Sequence, residues 1–443
     1  MPTHGNISIK VEDQDNLLAC RISKKISTMH QSSSYIHRVP KKFCFVSKDT
    51  YEPHIVSIGP YHRGKKNLKA AQKYKTWYLD SLISRNPCFG LKVYVKIIRE
   101  IESDIRECYA ELINLTSNEL VEMMILDGCF ILELFYKYNE EKSNMESTDC
   151  LFSTTWMVPS LRRDMVLLEN QIPFIVLEKL FTLLKSPTQI LSLNELILDF
   201  FDPILPTILI TQLDDNLQGK HLLDLLRNYL LHQTQALDYR NKPIEGDTTN
   251  PAEFNPSHII DIGDHPTWEF TTCATNLHKG GLKFVRKETA HCLLDITFTS
   301  DGEVEMPPFC VGESWSVLFP NLIVLEQCRR DYPDKITSYV ILINKLINSQ
   351  EDVKVLYDQG IIDGLIMKDE KIVQVINKLS DGVVLDNFYY DGLCSRVNSY
   401  SRVQRNRQAL LKNEFFRTPW VFISFVVALV LLLLVSTHTL FPN

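Results

Sequence analysis

From Thr418 to Asn443 the chain carries no Lys, Arg, Asp or Glu, and within that stretch Trp420–Val435 reads WVFISFVVALVLLLLV, with Ser424 its one polar side chain. Carried through Leu440 and Phe441, the run would give roughly 33 Å of helix at 1.5 Å per residue, matched to a hydrocarbon core of ~30 Å. A helix in lipid satisfies its own backbone polar groups, so the run predicts a lipid-embedded anchor across residues 419–441. A buried core helix is the alternative. Arg396, Arg402, Arg405, Arg407, Lys412 and Arg417 precede the run against one acid, Glu414. Such an excess beside a span favours the cytosolic side. Residues 1–34 are polar and mixed in charge, without the apolar core of a signal peptide. The expectation is a single-pass membrane protein with a cytosolic N-terminal body.

Charge and cysteines narrow the classes further. Lys and Arg number 47 against 54 Asp and Glu, a net charge of −7. That balance gives no basic domain for nucleic acid to recognise. The 11 cysteines are an odd number, spread from Cys20 to Cys394 with no Cys-x-x-Cys. A secreted disulfide scaffold more often shows an even, clustered set, so the pattern fits a reducing compartment. Asn6-Ile-Ser8 and Asn114-Leu-Thr116 are glycosylation sequons. They are read as unused, and they provide a test of topology.

Periodicity makes the body mainly α-helical. Prolines and glycines in Tyr35–Gly64 argue for turns and extended chain. A helix is expected at about Leu68–Ser84. Another is expected at about Leu91–Ile113, where Tyr94, Ile97, Ile98, Ile101, Ile105, Cys108 and Leu112 share one side. Thr116-Ser-Asn-Glu119 is a capping box. The helix behind it aligns Leu120, Met123, Met124, Ile131, Leu134, Phe135 and Tyr138, with Asp127 inside the stripe. A central helix from about Leu161, apolar almost all round, should be bent or ended by Pro173. Helices are also expected at His221–Leu231, Trp268–Lys279, Pro320–Cys328, Thr337–Asn348, Glu351–Gln359 and Asp369–Leu379. Between them, His291–Thr299 and Glu303–Met306 flank Asp301-Gly302 as a β-hairpin. The predicted organisation is a polar tail (1–34), a helical lobe (35–238), a loop (239–256), a second lobe carrying the hairpin (257–411), and a juxtamembrane segment with the transmembrane helix (412–443).

Catalytic motifs are lacking. There is no Gly-x-Gly-x-x-Gly, Walker loop, Gly-x-Ser-x-Gly or His-Glu-x-x-His. Gly312-Glu-Ser314-Trp-Ser316 lacks the second glycine of a nucleophile elbow. Cys273, His278, His291 and Cys292 have N/S donors suited to zinc but not a usual ligand spacing, so they are read as core or surface residues. No catalytic, cofactor-binding or metal-binding residue is assigned. Asp127, Glu169 and Glu326 each lie in a strongly apolar helix. A lone buried carboxylate is costly, so each needs a partner or a raised pKa. Converging carboxylates also build acid–base sites. The alternative is a structural polar network with Asn170, Gln171, Gln327 and a buried Arg or Tyr. The segment His62–Lys75 holds six Lys and Arg and no acid. Lys65, Lys69 and Lys73 share one face, either solvated or facing anionic lipid.

These segments together resemble, in order and from Ile36 to about Leu440, the plant family known as domain of unknown function 247. The resemblance rests on Ile36-His-Arg-Val-Pro40, Tyr51-x-Pro53, Val56-Ser-Ile-Gly-Pro-Tyr-His62, Met124-Ile-Leu-Asp-Gly-Cys-Phe130 and Leu168-Glu-Asn-Gln-Ile-Pro-Phe174. It continues through His221-Leu-Leu-Asp-Leu225, Asn321-Leu-Ile-Val-Leu-Glu-Gln327, Asp352-Val353, Gly360-Ile-Ile362 and Pro419-Trp420. It departs locally at Met306-Pro307-Pro308 and at Pro320. The resemblance implies a plant, mostly helical, single-span membrane protein with no established activity and no catalytic residues to transfer. Some grass members are associated with self-incompatibility, so the analogy implies protein–protein recognition or signalling. The competing expectations are a membrane-proximal enzyme using Asp127, Glu169 or Glu326, and a structural or lipid-contact protein using the lysine face.

Overall fold

The computed structural model describes residues 15, 16, 18–23, 34–43, 48–85, 87, 89–142, 149–184, 191–205, 217–231, 273–290, 292–312, 315–364, 367–385, 387–417 and 419–440. Helices dominate, as the periodicity predicts. In the first part α1 (Gln72–Arg85), α2 (Leu91–Glu100), α3 (Glu102–Glu107), α4 (Ser117–Glu141), α5 (Met157–Met165), α6 (Phe174–Leu184), α7 (Leu193–Phe201) and α8 (Leu222–Leu230) follow one another. Helix α4 is the axis: α1, α2, α6 and α7 all pack against it. Its start is the expected capping box, with both the Thr116 and Glu119 side-chain bonds formed. Its stripe is buried from Leu120 to Phe135. Gly128 lets α6 approach closely, since a Cβ there would lie 2.5 Å from Leu180 Cδ1.

The second part comprises α9 (Ala274–Lys279), a small sheet, α10 (Trp315–Gln327), α11 (Lys335–Leu346), α12 (Gln350–Asp358), α13 (Asp369–Leu379), α14 (Asp391–Arg417) and α15 (Pro419–Leu440). The sheet order is β1 (Lys283–Arg286), β3 (Glu303–Met306), β2 (Thr297–Phe298). The expected hairpin is the antiparallel β2–β3 pair, with Phe298 opposite Val304. The parallel partner β1, with Phe284 opposite Val304, escapes the periodicity because a four-residue strand carries almost no pattern. One apolar cluster runs through both parts, from Ile36 to Val397. The loop expected at 239–256 lies outside the described residues, as do His291 and Ser314.

Several expectations need correction. The helix expected at Leu91–Ile113 breaks at Ile101 and ends by Glu107, and Leu112, placed on the buried stripe, is 85% exposed. The helix expected from Leu161 ends at Met165. Val166–Pro173 then runs as a buried, irregular segment, and Pro173 immediately precedes α6, where a missing N–H is harmless. From Met165 to Phe174 the chain is mostly apolar because it is mostly buried, and burial imitates the pattern of a helix there.

The anchor is the largest correction. Helix α15 is present, yet among the described residues no helix is long and apolar enough to cross a membrane. The predicted transmembrane helix, the lipid contact through 419–441 and the single-pass localisation with a cytosolic body therefore lose their support.

Candidate functional site

The chain from Tyr51 to His62 passes through the interior as a loop: Val56, Ser57, Ile58 and His62 are all buried. Buried loop backbone must find partners, since an unpaired amide or carbonyl there is costly. Three side chains supply them. The Asp164 carboxylate accepts from the amides of His54, Ile55 and Val56 at 2.6–3.1 Å. Asn170 accepts from Ile58 N at 2.7 Å and donates to Val56 O at 3.0 Å. Asp127 accepts from Gly59 N at 2.8 Å. Gly59 has φ +74°, and a Cβ there would fall 2.4 Å from Gln171 O, so only glycine fits.

Asp127 is also paired with Lys75, whose Nζ donates to Asp127 Oδ1 and to Ser57 O. Both side chains are 2% exposed. Lys75 sits at the end of the stretch read as a basic face, but its position on α1 turns it inward. Burial raises the Asp127 pKa, and Lys75 and the Gly59 amide oppose that shift.

Glu169 accepts from Val39 N at 2.8 Å and from Arg38 Nη1 at 3.2 Å, and lies 3.6 Å from His62 Nε2. Burial raises its pKa against those donors. Glu326 is fully enclosed. It accepts from Arg227 at 2.7 and 2.9 Å, from the amides of Ile336 and Thr337, and from the Thr337 hydroxyl. This pair joins α8 to α10 and caps the start of α11. Gln327 binds Val384 instead.

The three carboxylates singled out by the sequence thus have different addresses. Asp127 and Glu169 hold the segment from Val39 to Gly59, while Glu326 ties α8 to α11. Sequence reasoning named Asn170 and Gln171 as partners but missed Asp164, Lys75 and Asn321. Asn321 accepts from Leu168 N at 2.9 Å and donates to Val317 O at 2.8 Å, so it joins the irregular 166–173 segment to α10. Asp164 in LRRDM reads as a surface acid, and nothing local marks it as buried. Among the described residues no group of three or more His, Cys, Asp or Glu is placed to hold a metal ion.

Beside this network the two parts of the chain enclose a half-open cleft of about 720 Å³. Its walls come from the 49–54 segment, α5, the turn after α7, the first turn of α10 and the last turn of α13. Arg163, on the wall, is spent on the carbonyls of Asp49 and Glu52 and on Asp164. His54 Nε2 lies 3.0 Å from Asp49 Oδ1 at the rim.

A family model described as a plant protein of unknown function matches residues 36–434. The chain is similar to UPF0481 protein At3g47200 of Arabidopsis thaliana, 30% identical over 413 residues that cover 91% of this chain and 85% of that one. It is also similar to Putative UPF0481 protein At3g02645 of the same plant, 25% identical over 479 residues, covering 90% and 88%. No solved structure matches.

Proposed function

We propose, from the premise that the chain belongs to the plant family known as domain of unknown function 247, that it works as a non-enzymatic recognition component that binds other proteins. The observation behind this reading is that Asp127, Glu169 and Glu326 are committed to holding backbone amides and the cations Lys75, Arg38 and Arg227. A general acid or base needs a lone pair or proton free to reach a substrate. These carboxylates point their oxygens at the protein itself. What they secure is the chain from Val39 to Gly59 and the junction of α8 with α11, and loops fixed in this way are preorganised, the arrangement that lowers the entropic cost of binding.

The experiment is proximity labelling in plant tissue, followed by titration of the purified chain with each purified candidate. A discrete complex with Kd below about 10 μM, corresponding to roughly 7 kcal/mol of binding, supports the reading. Multiple turnover of a compound in a plant metabolite extract would overturn it, if Glu169→Gln abolished the turnover without lowering the melting temperature.

A further inference from the structure

Arg162 is 5% exposed and lines the cleft, yet among the described residues no carboxylate lies within ion-pair distance of it. Its Nε donates to Phe200 O, and its guanidinium lies 4.8 Å from the Phe200 ring centre and 5.3 Å from that of Tyr138. Asp199 and Asp202 act on it from further away. A buried cation without a contacting counter-charge is costly to keep, and elsewhere this chain pairs its buried cations, Lys75 with Asp127 and Arg227 with Glu326.

Across the cleft, Lys378 is exposed near the end of α13, and among the described residues it too has no ion-pair partner. Among the described residues Asp49 is the one acid on the wall, and it lies beside His54. Apolar side chains make up much of the remaining lining, with Val166, Ile204, Val317, Val375 and Leu379. The volume lies within the ~300–1,000 Å³ typical of small-molecule sites, which pair an apolar wall with a few fixed polar groups.

We propose that this cleft binds a small organic anion, an apolar body carrying one carboxylate, phosphate or sulfonate head. The head sits between Arg162 and Lys378, where it supplies a counter-charge that none of the described residues gives Arg162, and the body lies on Val317, Val375 and Leu379. This site goes beyond the recognition reading and does not depend on it.

The test uses the full chain and two matched fluorescent probes, 1-anilinonaphthalene-8-sulfonate and the neutral N-phenyl-1-naphthylamine. The expected result is one sulfonate probe per chain, bound at least about tenfold more tightly than the neutral probe. Lys378→Glu, an exposed charge reversal, weakens the sulfonate by about tenfold and leaves the neutral probe unaffected. Val375→Trp fills the cleft and abolishes the one-to-one binding of both. Both variants keep the parent melting temperature, which separates loss of binding from loss of fold. No saturable sulfonate binding at about 1 mM, equal affinity for the two probes, or sulfonate binding unchanged in both variants would each overturn the proposal.

Discussion

Replacing Lys75 with Met tests whether the Lys75–Asp127 pair holds the buried 51–62 segment. Methionine fills nearly the same volume, so the perturbation is electrostatic rather than steric. The ammonium donates to Asp127 and to Ser57 O at 2.5 Å, both fully enclosed. Removing it leaves Asp127 with the Gly59 amide and leaves the Ser57 carbonyl without that donor. Breaking a buried ion pair from one side costs about 3–5 kcal/mol, and an abandoned buried carbonyl about 1–3 kcal/mol. The two costs overlap, so Lys75→Met should lose about 4 kcal/mol. Asp127→Leu strands the ammonium and should lose a similar amount. The double variant strands only the Gly59 amide and the Ser57 carbonyl, with no uncompensated charge, and should lose about 2 kcal/mol. Urea denaturation of the parent, both singles and the double closes the cycle. The reasoning is refuted if the double is destabilised by the sum of the singles, or if Lys75→Met costs less than about 1 kcal/mol.

Gly59→Ala should destabilise by at least about 2 kcal/mol in the same assay, because φ +74° disfavours a side chain and the new Cβ meets Gln171 O at 2.4 Å; a neutral result would place that turn elsewhere. Thr116→Ala removes the acceptor for Glu119 N and should cost about 1 kcal/mol. The buried rings of His62 and His221 are each held down at about 4 from an ordinary 6.5, chiefly by burial. The unfolded chain therefore takes up these protons near pH 6.5 while the folded chain resists. The stability they contribute is full above pH 6.5 and is lost as the pH falls towards 4, by about 2–3 kcal/mol per ring. Denaturation midpoints followed over that window should fall, and His62→Gln should flatten the slope by up to one proton; an unchanged slope would show that the ring protonates in the folded state.

Several parts of the fold were legible because their signals are local. Thr116 and Glu119 lie three residues apart, and a capping box needs nothing else. The stripe Leu120–Phe135 declares both its helix and its buried face, so Asp127 could be marked as anomalous from the sequence. The signal failed where burial on all sides imitates a helix, as in Val166–Pro173, and where a strand is as short as Lys283–Arg286. For the terminal apolar run the composition was plain, but among the described residues no helix is long and apolar enough to cross a membrane.

Each anomalous carboxylate carried a demand for a partner, and the identity of the partner lay beyond the sequence. Asp127 meets Lys75 and Glu326 meets Arg227 across 52 and 99 residues. Asp164 captures a loop more than 100 residues earlier, and its own neighbours give no sign of burial. The cleft is the extreme case, since Arg162 and Lys378 lie 216 residues apart in the chain and line one space only because α5 and α13 wall it together. Periodicity and caps act over a turn or two of backbone, so the sequence alone determined most of the helices, the buried face of α4 and the family. Which charge meets which depends on where distant elements pack, so the tertiary structure alone decided that the suspected carboxylates are braces and that Arg162, with no contacting carboxylate among the described residues, lines a cleft.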